Sequence, residues 1–325
     1  MRSKPHIYLI VALVPLLAVA MGGCTSSAVT RKTSIATPLA STPAPSAAPS
    51  AAASPAQPAH VDEIKSPAEA IQLGDSAWAA NQLDRAVYDY VMALERAPDD
   101  AVTLAKIGAI EEGRGNDVLA IRAFEMAHVA APAEPRIAER LASLYLKQAK
   151  FDGAAALYAQ VLATHPTRTR SLDGMGQVCI LRGDYRQSIL YLDQALRADQ
   201  PDAAAVLTHR GYAKLLSNDL PGAEADLRSA LALGPEPDAW RYLANLQVRR
   251  HDTAAALESL LKIMDTAHAY NEIGVLLMNM HEYRESEQYF TKALSASASW
   301  YAEAQDNLSL ADEHLNTKVR SAPAE

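Results

Sequence analysis

An internal period of about 34 residues begins at Pro67 and fills most of the chain from there to the C-terminus, and it limits what this chain can fold into more than any other feature. Stepping by that period gives repeat starts at 67, 101, 135, 169, 204, 237 and 267, with two one-residue slips and a shortening before the last. In this register the eighth position reads Gly74, Gly108, Ala142, Gly176, Gly211, Ala244 and Gly274, and the twentieth reads Ala86, Ala120, Ala154, Ser188, Ala223, Ala256 and Ser286. Only small side chains occupy either column. Two antiparallel helices of one hairpin need such residues where they approach too closely for anything larger.

Other columns supply bulk. The seventh position is Leu73, Ile107, Leu141, Met175, Arg210, Leu243 and Ile273, with Arg210 the one misfit. The twenty-fourth is Tyr90, Phe124, Tyr158, Leu192, Leu227, Leu260 and Phe290. The fifteenth reads Asn81, Gly115, Ala149, Gly183, Asn218, His251 and His281, mostly types that tolerate a left-handed backbone after a helix end. His251 and His281 are therefore read as turn residues rather than ligands. Pro98, Pro132, Pro166 and Pro235 close four repeats in phase, with Pro201 one residue late, and each stops a second helix before the next hairpin begins. The last two repeats lack this proline.

Segments such as IQLGDSAWAANQLDRAVYDYVMALERAP and LAKIGAIEEGRGNDVLAIRAFEMAHVAAP resemble the tetratricopeptide-repeat family, whose pattern sets a large residue, Leu-Gly, an aromatic, Ala, Phe and Pro at fixed offsets. The resemblance implies an all-α superhelix of about seven helical hairpins over residues 67–298. Composition agrees, since alanine dominates and only 3 phenylalanines occur. Residues 299–315 carry Tyr301, Ala304, Leu308, Ala311 and Leu315 on one side of a helix, suited to capping the array. Residues 316–325 read as a frayed, disordered tail.

The other end of the chain sets the compartment. A basic start, an apolar run from Ile7 to Ala20 and the small Gly22 and Gly23 before Cys24 have the layout of a secretory signal over residues 1–23. The run is shorter than the ~20 residues a membrane-spanning helix needs. The small residues before Cys24 resemble a lipobox, which implies a diacylglycerol on the Cys24 thiol, cleavage before it and an acyl chain on the new terminus; Met21 stands where that family more often has Leu. Thr25 in place of Asp after the cysteine implies, by the same resemblance, sorting to the outer membrane with the protein facing the periplasm. Several acyl chains suffice for stable attachment. Residues 24–66 then form an Ala/Pro/Ser/Thr tether, expected to be disordered with polyproline II character. About 40 such residues span ~35 Å as a coil and up to ~130 Å when extended.

Charge and chemistry narrow the function. The net charge of −8 becomes −10 once residues 1–23 are removed, because Arg2 and Lys4 leave 28 basic side chains against 38 acidic ones. Such a surface repels nucleic acid, and no nucleic-acid partner is expected. Cys24 and Cys179 are too few for a disulfide framework, and Cys179 is read as a small buried helix residue. The histidines lack ligand spacing, HEYRE at 281 lacks the second histidine of a zinc helix, and no phosphate-cradling loop occurs. No catalytic residue, metal or cofactor is expected beyond the covalent lipid. The chain reads as no enzyme.

Function is then expected on the inner surface, where repeat proteins hold a partner segment. The family's first helices line that surface through positions 2, 5, 9, 12 and 13. Here those positions bring Arg136, Lys147, Arg170, Gln177, Tyr212, Arg241, Asn245, Arg249 and Asn271, along with Trp78, Glu139, Thr208 and Asn279. The arginines suit carboxylates and the asparagines a peptide backbone, so an acidic or C-terminal segment is the expected guest. The stretches GQVCILRGDYRQSILYLDQALRAD and HRGYAKLLSNDLPGAEADLRSALALGP resemble the lipoprotein of the tight-adherence (Flp) pilus assembly system. That resemblance implies a pilotin-like role in assembling a pilus or secretion apparatus, with a secretin or another such component as partner. A periplasmic adaptor docking proteases or cell-wall hydrolases is the second reading.

Overall fold

The computed structural model describes residues 66–198 and 202–321; the signal peptide, Cys24, the tether and Pro201 lie outside the described residues. The chain divides into two compact units, Met1–Arg96 and Ala97–Glu325. Within the first, α1 (Pro67–Ala79) pairs with α2 (Leu83–Leu94). The second holds the hairpins α3 (Ala101–Gly113) with α4 (Asp117–Ala130), α5 (Pro135–Lys147) with α6 (Phe151–Thr164), and α7 (Thr169–Leu181) with α8 (Tyr185–Leu196). It continues with α9 (Ala203–Leu216) and α10 (Leu220–Leu233), α11 (Pro237–Arg249) and α12 (Thr253–Leu260), and α13 (Thr266–Asn279) and α14 (Tyr283–Ala296), and ends with α15 (Ala302–Ser321) packed on α14. Helix α15 therefore extends past residue 315, into the stretch that the sequence suggests is a frayed tail.

Each hairpin closes by the same backbone device. Asn81, Ala149, Asn218, His251 and His281 take φ between 56° and 67°, and Gly115 and Gly183 take 77° and 79°. The amide after each of these residues bonds back into the last turn of the helix, as in Gln82 N–H to the Ala77 carbonyl at 2.8 Å, Lys150 to Tyr145 at 2.8 Å and Glu282 to Leu277 at 3.0 Å. These are Schellman closures, which satisfy carbonyls that a helix end leaves open. The two histidines are thus turn residues.

Packing inside a hairpin explains the small columns. A Cβ on Gly74 would lie 2.5 Å from the Tyr90 ring, one on Gly108 2.8 Å from the Phe124 ring, and one on Gly274 2.5 Å from the Phe290 ring. Position 8 is therefore small chiefly because position 24 of the same hairpin fills its place, with the Ala223 carbonyl also close at Gly211. The seven residues at position 20, Ala86 through Ser286, are all fully buried. Arg210, the misfit at position 7, takes part in a polar network: its guanidinium donates to both Asp226 oxygens at 2.8 and 2.6 Å and to Asp193 at 2.7 Å, and Lys214 sits 2.7 Å from Asp226. Ionic contacts replace apolar bulk there.

Helix starts follow the proline and capping signals. Pro98, Pro132, Pro166 and Pro235 fall in the short connections after α2, α4, α6 and α10, where a missing N–H and a fixed φ prevent the helix from continuing. Where no proline stands before the last hairpin, the Asp265 carboxylate accepts the His268 amide at 3.0 Å and starts α13. The hairpin before it is the shortest, because α12 has 8 residues where most second helices have 12 to 14.

Candidate functional site

Within the second unit the first helices touch their successors directly, in the series α5, α7, α9, α11, α13 and then α15, whereas the second helices make no comparable contact with one another among the described residues. A layer whose first helices lie closer together than its second helices curves toward the first. Their free faces therefore form the inner surface of this unit, the face for which the sequence proposes its candidate residues on α5 to α13.

Bonds across this surface stitch neighbouring repeats. Glu139 on α5 is fully buried and receives two hydrogen bonds from Arg168, at 3.0 and 2.9 Å, and one from the Ser171 hydroxyl at 2.7 Å. Asp173 on α7 faces His209 on α9 at 2.7 Å and accepts from Gln177 at 2.8 Å. Burial works against a charged His209, but Asp173 outweighs it and Asp238 and Glu236 add to the effect, so its pKa is raised. Arg249 on α11 donates to the Leu215 carbonyl on α9 at 3.0 Å and to Asn245 at 3.1 Å. Arg241 lies 3.0 Å from Asp238 and 3.9 Å from Glu272 on α13.

The residues expected at the site thus divide. Tyr212 is buried, stacked on Tyr242 with ring centroids 4.1 Å apart. Asn271 is also buried, donating to Glu303 at 3.2 Å and accepting from Asn307 at 3.0 Å on α15. Thr208 is buried and bonds the Ala204 carbonyl. These three side chains offer a partner almost no surface. Gln177, Asn245, Arg241 and Arg249 are half-buried and engaged as above. Lys147 is half-exposed, 3.6 Å from Glu112, which also meets Arg140 at 2.9 Å. Arg136 and Arg170 are exposed, and among the described residues neither guanidinium has an intrachain hydrogen bond or ion pair. Asn279 is exposed; in the first unit, Trp78 is partly exposed and meets the Tyr90 ring edge-on at 6.5 Å.

Sequence reasoning passes over His209, Arg168, Arg140 and Glu272. They stand outside the positions assigned to the groove; for His209, Arg140 and Glu272, each one step past position 5, a charged or titratable residue next to such a position is the available signal, whereas Arg168 lies in the connection before α7. Cys179 is buried, and burial pushes its thiol pKa up, so it stays in the unreactive protonated form. Away from the inner surface, His251, His281, Glu282 and Tyr283 border an open depression at the turns, beside the stacked Tyr283 and His314 rings, whose centroids are 4.6 Å apart.

Paired helices, small-on-large packing and a stitched inner surface define a tetratricopeptide-repeat fold. Residues 138–170, 182–236 and 266–297 each match a tetratricopeptide-repeat family profile. No curated protein sequence matches the chain. Among solved structures, the chain is similar to a tetratricopeptide repeat protein from Parabacteroides merdae, with a TM-score of 0.61, 18% identity and coverage of 76% of this chain and 98% of that one. It is similar to a chain in the structure of the APC/C hetero-tetramer Cut9–Hcn1 at a TM-score of 0.57 and 18% identity, covering 75% of this chain and 48% of that one. PilW, described as a widely conserved type IV pilus biogenesis factor, aligns at a TM-score of 0.51 and 17% identity, covering 68% and 96%. At these identities the likeness shows the fold. Proteins of this fold bind other proteins.

Proposed function

We propose that this chain is a non-catalytic scaffold, lipid-anchored through Cys24 to the periplasmic face of the outer membrane, that holds a partner segment on its inner surface during assembly of a tight-adherence (Flp-type) pilus or secretion apparatus. The observation that carries the scaffold reading is the pair Arg136 and Arg170, exposed on successive first helices and left without partners among the described residues. Cations of this kind are suited to a ligand's carboxylates. The pilus reading draws on the tight-adherence resemblance in the sequence, and PilW is an instance of the fold in a pilus biogenesis factor. A secretin subunit is the partner this reading names.

Two measurements test it. Loss of the gene should reduce secretin multimers and surface pili, and crosslinking from membranes should recover a secretin or another assembly component. Intact pili, or recovery of a protease or cell-wall hydrolase instead, would overturn the assembly role. Cys24→Ser should release the protein from the membrane fraction and remove the lipid mass from its N-terminus; an unchanged distribution would overturn the anchor.

A further inference from the structure

Charge is not spread evenly along the inner surface. At the α5–α7 end Glu139 is answered by Arg168 and Ser171, Glu112 by Arg140 and Lys147, and Asp173 by His209 and Gln177, while Glu134, the N-cap of α5, accepts the Arg136 amide. Arg136 and Arg170 add positive charge, and among the described residues neither guanidinium forms an ion pair. At the α11–α15 end the balance reverses. Glu236, Asp238, Asp265, Glu272 and Glu303 gather there; Arg241 answers Asp238 and approaches Glu272, His268 meets Asp265 and Asn271 donates to Glu303, while Arg249 is committed to the Leu215 carbonyl and Asn245, so the carboxylates outnumber the fixed cations.

Burial, reinforced by neighbouring carboxylates, raises three groups at this end. Burial, with Asp202 and Asp238 adding, raises the Glu236 carboxyl above its ordinary range, and burial raises Glu272, with Glu303 adding to it while Arg241 opposes. The Tyr301 hydroxyl is pushed up to about 12 by burial, with Glu303, Asp265 and Glu272 contributing.

We infer that the inner surface takes its partner as an extended protein segment in one orientation, with the segment's acidic end on Arg136 and Arg170 and its basic end against the carboxylates between α11 and α15. This rests on the scaffold reading above and adds direction and charge pattern to it. Packed helices lie about 8–10 Å apart, and an extended chain advances about 3.3 Å per residue, so acidic side chains roughly three residues apart match successive first helices. Four such steps, from α5 to α13, correspond to roughly 11 residues. A reversed segment sets acid against acid and base against base, a cost that selects one direction.

The probe is a fluorescein-labelled 12-residue peptide with three Glu at one end, three Lys at the other and Gly/Ser between, offered to the full chain in low-salt buffer. A photocrosslinker placed at the acidic end should map to α5 and α7, and one at the basic end to α11–α15. R136E/R170E should weaken binding tenfold or more, and R136Q/R170Q by less, with unchanged circular dichroism melts. Because both arginines are exposed, the glutamine pair also controls for folding. Absence of binding, crosslinks that ignore which end carries the probe, or a change under twofold in the folded charge-reversal variant would overturn the inference. If the membrane partner is still captured in those cases, the scaffold reading stands and the oriented, charge-paired mode alone falls.

Discussion

At the hairpin turns, residues as different as Gly115, Ala149 and His281 adopt the same left-handed backbone and close the same Schellman hydrogen bond. On the inner faces of the first helices, by contrast, each hairpin carries its own set: an Arg170 on α7 without an ion pair among the described residues, a buried Tyr212 on α9, a committed Arg249 on α11. The difference shows how labour divides within one repeat. Positions 8, 15, 20 and 24 make a hairpin with one shared geometry, while positions 2, 5, 9 and 13 differ from repeat to repeat in what they bond and how far they are exposed. Stability should follow the first group and recognition the second.

Substitutions can break or sharpen that division. Phe290 is fully buried against Gly274, so Phe290→Ala should cost about 3–5 kcal/mol in urea unfolding, whereas Asn279→Ala, on the exposed face, should stay within about 0.5 kcal/mol. Comparable losses from the two would erase the distinction. Asp226→Ala should cost about 3 kcal/mol, because it takes the partner from Lys214 and leaves Arg210 with Asp193 alone, and the two cationic side chains are each only 19% exposed. The double variant R210L/D226A should recover much of that loss by returning position 7 to an apolar side chain.

Smaller effects probe the turn and the stitching. Ala149 holds φ at 56°, a region that costs a side chain with a Cβ, so Ala149→Gly should raise stability by about 1 kcal/mol in the same assay. A loss there would mean the turn relaxes in solution. His209, with its raised pKa, contributes stability that is fully present below its unfolded value near 6.5 and is lost as pH rises through the higher folded value. Melting temperature should therefore fall as pH rises above about 6.5, and His209→Gln should flatten that part of the profile.

Much of the fold is legible in the sequence because its signals are local and recur. A small residue at position 8 and a large one at position 24 of the same hairpin lie sixteen residues apart, and seven instances reinforce one another. The surface is harder to read because its state depends on what the next element brings. Asn271 looks like a groove residue until α15 supplies Glu303 and Asn307. Tyr212 disappears from the surface because Tyr242 of the next hairpin stacks on it. Arg210 stands out as a charge in an apolar column, and its answer, Asp226, lies one position before the column of large residues. The end of α15 escapes sequence reading because a polar stretch without an apolar stripe can still continue a helix that is already nucleated.

The shared turn geometry also bears on how such a protein changes over time. Because one hairpin enters and leaves its turn along nearly the same path as the next, a duplicated or deleted block of about 34 residues rejoins helix ends that already fit. Lengthening the surface is then a single genetic event, and the new hairpin begins as a copy whose inner face is free to diverge.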